Sequence, residues 1–266
     1  MAVCPVCKKE HIDTNICPIC GFDQLGKEFL NKEDAEHWKN EVLLPFIDDN
    51  VCDLEDFLIE DGSLTEFSGE KPIVVLPSNI KRIDDDVFLE CNHIKHIVLP
   101  SELNELGFAV FSDCESLTEV TIPDGITELP EQTFAGCKGL QSVVLPNGLL
   151  SIASHAFSEC ESLKKLHIPQ NVNYIDIDAF FNCISLTKIV IPKSVETIET
   201  NAFEGCANLE IYCEHLSKPE EWDDNWCNNG EWIIKNLRPH DAPMAVYWGD
   251  EWHYENGIPV PNDGVS

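Results

Sequence analysis

From about Ile73 to Glu214 the chain repeats every 23 residues. Pro77, Pro100, Pro123, Pro146, Pro169 and Pro192 keep that spacing. So do Phe88, Phe111, Phe134, Phe157, Phe180 and Phe203, and Cys91, Cys114, Cys137, Cys160, Cys183 and Cys206. Three residue types with unrelated physics share one period, which excludes chance. A period of roughly 20–29 residues is the mark of a solenoid, where each coil buries its apolar side only against its neighbours.

The unit SLTEVTIPDGITELPEQTFAGC, Ser116 to Cys137, shows how one coil is built. Side chains alternate across a strand, so Val120 and Ile122 share one face and Glu119 and Thr121 the other. Pro123 has no N–H for a ladder and stops the strand. Asp124-Gly125 turns the chain, Ile126 and Leu129 point back to the core, and Phe134, Cys137 and Leu140 close the coil. The inward strand positions are Val74/Leu76, Ile97/Leu99, Val120/Ile122, Val143/Leu145, Leu166/Ile168 and Ile189/Ile191, all aliphatic. The outward positions are Ile73/Val75, His96/Val98, Glu119/Thr121, Ser142/Val144, Lys165/His167 and Lys188/Val190. A slip of one residue would exchange the two faces, so this register is strongly specified.

Leu163 to Leu186, LKKLHIPQNVNYIDIDAFFNCISL, resembles the unit of the BspA-type (Treponema-type) leucine-rich repeat family nearly residue for residue. That resemblance implies an α/β solenoid of six 23-residue repeats, with a parallel β-sheet on the concave face and mostly irregular convex segments. It implies protein–protein or adhesive binding, and many family members are exported to the cell surface.

Composition sets further bounds. The formal net charge is −31, from 48 acidic and 17 basic residues. So large an excess disfavours nucleic-acid phosphate and anionic lipid as partners. MAVCPVCKKEH carries neither the basic n-region nor the apolar h-region of a secretory signal, and no run of about 18 apolar residues suggests a membrane span. A cytoplasmic protein is the simplest expectation. Six of the 13 cysteines sit on the repeat; in a reducing compartment they read as small buried hydrophobes, and no disulfides are expected.

The rest of the chain divides as follows. Residues 1–25 carry Cys4-x2-Cys7 and Cys17-x2-Cys20. Four thiolates at this spacing complete a tetrahedral site for one structural Zn2+ with no open position, and the segment resembles a small zinc ribbon. A redox dithiol pair or disulfides are the alternatives. Residues 26–56 read as a helical connector and acidic linker. Asn31 is its N-cap, Ala35, Trp38 and Val42 share one face, and Pro45 ends the helix. Residues 57–76 hold a hairpin over Glu60-Asp61-Gly62-Ser63 and the first strand, capping the solenoid of residues 77–209. Counting on by 23 places Tyr212 and Glu214 at the last inward positions. Residues 210–256 contain five of the six tryptophans and read as a C-terminal cap, with a carbohydrate- or peptide-stacking platform as the competing reading. Residues 257–266 are expected to fray.

No nucleophile elbow, phosphate loop, HExxH or dinucleotide motif is present, so the sequence points away from an enzyme. The function expected is protein recognition by a monomer. The binding surface would be the outward strand face, carrying Ile73, Val75, His96, Val98, Glu119, Thr121, Ser142, Val144, Lys165, His167, Lys188 and Val190. Its valines are more apolar than solubility requires; strand propensity alone is the competing explanation. Lys165, His167 and Lys188, flanked by Lys164 and Lys193, form a basic spot suited to acidic groups of a partner. Two other classes stay open. A surface adhesin would be found outside the cell, and a nucleic-acid regulator using the ribbon would give a salt-sensitive gel shift.

Overall fold

The structure is a computed structural model that describes residues 2–3, 10–11, 47, 49–227, 245–255 and 258–262. Cys4, Cys7, Cys17, Cys20 and the helix expected before Pro45 lie outside the described residues. Near the N-terminus, β1 (Ala2–Val3) pairs antiparallel with β2 (Glu10–His11). After Pro45 the chain is helical at Ile47, Asp49 and Asn50, and the Val51 N–H donates to the Ile47 carbonyl at 2.9 Å. The following residues do more than link. Val51 bridges Ile73 in parallel and the Cys52 N–H donates to the Ile73 carbonyl at 2.9 Å. This closes the edge of the first strand, and Ile73, expected on the open face, is buried.

β3 (Phe57–Glu60) and β4 (Ser63–Phe67) form the expected hairpin. Asp61 and Gly62 both have positive φ, 50° and 83°, the backbone that two-residue hairpin turns favour because it matches strand twist. Beyond it the chain winds a parallel-strand solenoid of about seven turns. Successive coils lay down β5 (Ile73–Val75) and β6 (Arg82–Ile83), β7 (His96–Val98) and β8 (Glu105–Leu106), β9 (Glu119–Thr121) and β10 (Glu128–Leu129), and β11 (Ser142–Val144) and β12 (Ser151–Ile152). There follow β13 (Tyr174–Ile175), β14 (Lys188–Ile191), β15 (Thr197–Ile198), β16 (Glu210–Cys213) and β17 (Ala245–Trp248). β5, β7, β9 and β11 form one parallel stretch of the main sheet, and β14, β16 and β17 another. Between them the coil of Lys165 is joined to β11 by a single Ser142–Lys165 bridge. The two-residue strands make a second line, and β4 starts it by pairing with β6, so the hairpin is its first rung.

The inward aliphatics are buried throughout, from Val74 and Leu76 to Ile189 and Ile191. Behind them stand two ladders. The rings of Phe88, Phe111, Phe134, Phe157, Phe180 and Phe203 stack at 5.0–5.5 Å with interplanar angles of 4–18°. Beside them the Cys114, Cys137, Cys160, Cys183 and Cys206 thiols each donate to the phenylalanine carbonyl 26 residues earlier, at 3.0–3.2 Å. Each of the receiving carbonyls also accepts the backbone N–H of the cysteine three residues on. The repeat-phased cysteines are therefore donors that tie coil to coil as well as apolar filler. Burial pushes the Cys114, Cys137, Cys160 and Cys183 thiols far above the ordinary range.

Two further positions per coil are left-handed. Asp86, Ala109, Gln132, His155, Asp178 and Asn201 have φ of 49–58°, and Glu90, Asp113, Gly136, Glu159, Asn182 and Gly205 have φ of 56–80°. These turns aim N–H groups at the next coil, as in Phe134 to Ala156 (2.9 Å) and Gly136 to Ser158 (2.8 Å). A left-handed L-residue costs about 1–2 kcal/mol; the buried backbone bonds it permits offset that cost.

The C-terminal end departs from the simple count. β14 pairs with β16 in the register Lys188–Glu210, Ile189–Ile211, Val190–Tyr212 and Ile191–Cys213, one residue short of the repeat. Ile211 and Cys213 therefore take the inward positions expected for Tyr212 and Glu214, and both are buried. A buried carboxylate at Glu214 would be far costlier than losing one residue of spacing. Trp226, 23 residues after Phe203, stands next to the phenylalanine ladder and ends it edge-on at 5.9 Å and 85°. Trp222 and Trp248 pack against it at 4.9 and 6.5 Å, and Trp222 Nε1 donates to the Val195 carbonyl at 3.3 Å. These tryptophans pack over the end of the phenylalanine ladder, whereas β16 and β17, inside the stretch expected to be a cap, continue the main sheet. Part of the tail expected to fray is ordered: β18 (Trp252–Glu255) pairs antiparallel with β19 (Ile258–Pro261).

Candidate partner-binding face

The outward side chains of the main sheet form two columns, because parallel strands in register place equivalent residues side by side. His96, Glu119, Ser142, Lys165, Lys188 and Glu210 occupy the first, and Val75, Val98, Thr121, Val144, His167, Val190, Tyr212 and Tyr247 the second. Every residue expected on this face falls in one of these columns; Ile73, in register with His96, heads the first but is buried.

Exposure along the columns is uneven. Val75, His96, Val98, Glu119 and Ser142 are half-buried, whereas Thr121, Val144, Lys165 and His167 are exposed. Val144 is 58% exposed, the most open apolar side chain of the sheet. Burial, helped by the neighbouring Lys95, holds the His96 imidazole below its usual pKa.

The basic spot divides in two. Lys164 and Lys165 are exposed and make no ion pair among the described residues. His167 stands exposed beside them. Lys188 is different. Its Nζ lies 3.1 Å from Glu210 Oε2, 3.3 Å from the Tyr212 hydroxyl and 3.0 Å from the Pro259 carbonyl. Tyr212 also donates to Glu210 Oε2 at 2.8 Å and stacks on Tyr247 at 5.0 Å. Lys193, at the far margin, is exposed, and its backbone N–H donates to Glu214 Oε2 at 3.0 Å.

Glu210 and Tyr212 therefore belong to the outward columns, although the 23-residue count did not put them there. The alternation Ile211-Tyr212-Cys213-Glu214 was the available signal, since only one of its two registers keeps the charge out of the core. Among the described residues no group of three or more His, Cys, Asp or Glu side chains is placed to hold a metal ion, and no helix is long and apolar enough to cross a membrane.

The family described as BspA type Leucine rich repeat region matches residues 81–210 in six copies. No curated protein gives a match. Among solved structures, the chain is similar to the leucine-rich repeat protein of T. pallidum, with 28% identity and a TM-score of 0.57, over 60% of this chain and 79% of that one. It is also similar to a leucine-rich repeat protein from Bacteroides ovatus, with 32% identity and a TM-score of 0.53. That match covers 59% of this chain and 44% of the other, so the chain spans less than half of that relative. The solenoid over residues 81–210 is one of leucine-rich repeats similar to the BspA type.

Proposed function

We propose that this chain is a non-enzymatic protein-recognition module that binds an extended partner segment on the outward, concave face of its main sheet. Leucine-rich repeat proteins are in general protein-interaction or surface modules, which supports the class. The observation that carries the face is exposed Val144 beside exposed Lys164 and Lys165, which make no ion pair among the described residues, on a chain of net charge −31. An apolar anchor beside isolated cations suits a segment with aliphatic and acidic side chains. Val75, Val98 and Val190 would extend the apolar contact, and His96, Glu119, Thr121, Ser142 and His167 would supply hydrogen bonds.

The test is a Val98→Glu/Val144→Glu variant set beside the parent chain and a chain lacking residues 1–30. A protein retained by the parent and lost with the folded double variant supports this reading. Retention by the double variant together with loss by the truncated chain refutes it and moves recognition to the N-terminal segment. That segment we read as a zinc ribbon on Cys4, Cys7, Cys17 and Cys20. Native mass spectra showing one chelator-sensitive zinc ion per chain would support it, and a zinc-free chain would refute it.

A further inference from the structure

Among the described residues, β18 and β19 lie over part of the main sheet. After β17 the chain turns at Gly249–Glu251 and returns as β18 and β19. At the root, Trp252 Nε1 donates to the Cys213 carbonyl at 3.0 Å and the ring meets Tyr212 edge-on at 5.5 Å. Further along, the Pro259 carbonyl accepts from Lys188 Nζ at 3.0 Å. The hairpin thus reaches from the last strand across β16 to β14.

An ammonium group has three donors. Those of Lys188 meet three acceptors: Glu210, the Tyr212 hydroxyl and Pro259. Two come from the sheet and the third from the hairpin, so all three Lys188 donors are engaged while the hairpin is down. Beyond Trp252 none of the described hairpin residues is buried. A two-stranded hairpin is marginal in water by itself, and Tyr254 and Ile258 remain 53% and 54% exposed. Its base is held internally: the Asn262 N–H donates to the Glu251 carbonyl at 2.7 Å, and Asn262 Oδ1 lies 2.6 Å from His253 Nδ1.

We propose that β18–β19 is an intramolecular strap that holds Lys188 closed, and that its lifting joins Lys188 to the basic spot at Lys164, Lys165 and His167. The regulatory consequence rests on the reading of the sheet face as a binding surface; the strap contact does not. Acylation of lysines by limiting N-hydroxysuccinimide acetate, read peptide by peptide in a mass spectrometer, tests the contact without a partner. The samples are the full chain, a chain ending at Asn256 and the full-length Asn262→Ala variant. Truncation is expected to raise the Lys188 rate about tenfold, the worth of one hydrogen bond to a charged group, while Lys164 and Lys165 stay unchanged. Asn262→Ala, which removes the side-chain contact to His253 but keeps the backbone bond to Glu251, weakens the base of the hairpin and should move Lys188 in the same direction by less. A Lys188 rate that is unmoved in both variants overturns the strap. Should truncation unfold the chain, seen as loss of the folded circular dichroism spectrum, Asn262→Ala decides alone in the same terms. Failure here leaves the face open to a partner; failure of the Val98→Glu/Val144→Glu test leaves the strap standing.

Discussion

Replacing Cys160 separates the two roles a ladder cysteine can have. The side chain is fully buried, and its thiol donates to the Phe134 carbonyl at 3.2 Å, an oxygen that already accepts the Cys137 N–H. Cys160→Ala removes about one methylene's worth of burial, about 0.8 kcal/mol, and a weak hydrogen bond of at most about 1 kcal/mol. The expected cost is about 1–2 kcal/mol. Cys160→Ser keeps a donor in place. If the donor role is real, the hydroxyl finds the Phe134 carbonyl and the variant lies within about 1 kcal/mol of Cys160→Ala. If the site is only apolar filler, the hydroxyl is stranded, and Cys160→Ser falls about 2–3 kcal/mol below Cys160→Ala. Urea unfolding followed by circular dichroism, with the slope checked for constancy, measures both. That second ordering would refute the ladder of thiol donors.

Phe157, stacked on both sides at 5.5 and 5.3 Å, should cost about 3–5 kcal/mol as Phe157→Ala. As Phe157→Leu it should cost about 1–3 kcal/mol, the worth of two aromatic contacts at conserved burial; the same urea series reads both. Stability should hold up to about pH 9 and then fall, because burial raises the folded thiol pKa values while the unfolded chain loses its protons first. Cys91, moved from 9.0 to about 11, alone accounts for a loss of about 2–3 kcal/mol between those limits, and a flat pH profile through 11 would contradict it. Gly136 has a φ of 70°, and a Cβ there would strike the Asp113 carboxylate. Gly136→Ala should therefore lower stability by about 1–2 kcal/mol, seen as a lower thermal midpoint.

The solenoid was legible because three independent signals kept one period, and strand alternation then assigned the inward set from Val74 to Ile191 correctly. The hairpin was legible for a local reason, the Asp61-Gly62 turn. What failed depended on contacts made by residues off the period. Ile73 has the alternation of an outward residue, yet Val51 closes its strand edge, and nothing in FIDDNVCDLED announces a bridge. Counting by 23 puts Tyr212 and Glu214 inward because the spacing from β14 to β16 is one residue short, a change that only the polarity of Glu214 announces. Within the candidate face, valines and lysines were readable from strand positions. Saturation of Lys188 was not, since one of its acceptors is a backbone carbonyl 71 residues away, where side-chain identity carries no information.

The two ends of the stack show how a repeating core is stopped. Interior phenylalanine pairs are nearly parallel, but Phe67 meets Phe88 at 53° and Trp226 meets Phe203 at 85°. At the C-terminal end a ring turned out of the stacking plane gives the coil of another molecule no parallel surface to continue, so Trp226 buries the last layer and is expected to disfavour end-to-end growth. Trp226→Ala tests whether these two roles separate. Removing a side chain only 3% exposed should cost about 3–5 kcal/mol. It should also bare the face of Phe203, a head-to-tail contact of the kind that propagates without closing. Light scattering across a concentration series on the folded variant is then expected to show growing mass where the parent stays constant. If Trp226→Ala loses the stability but keeps the parent's mass at every concentration, edge-on termination contributes burial alone.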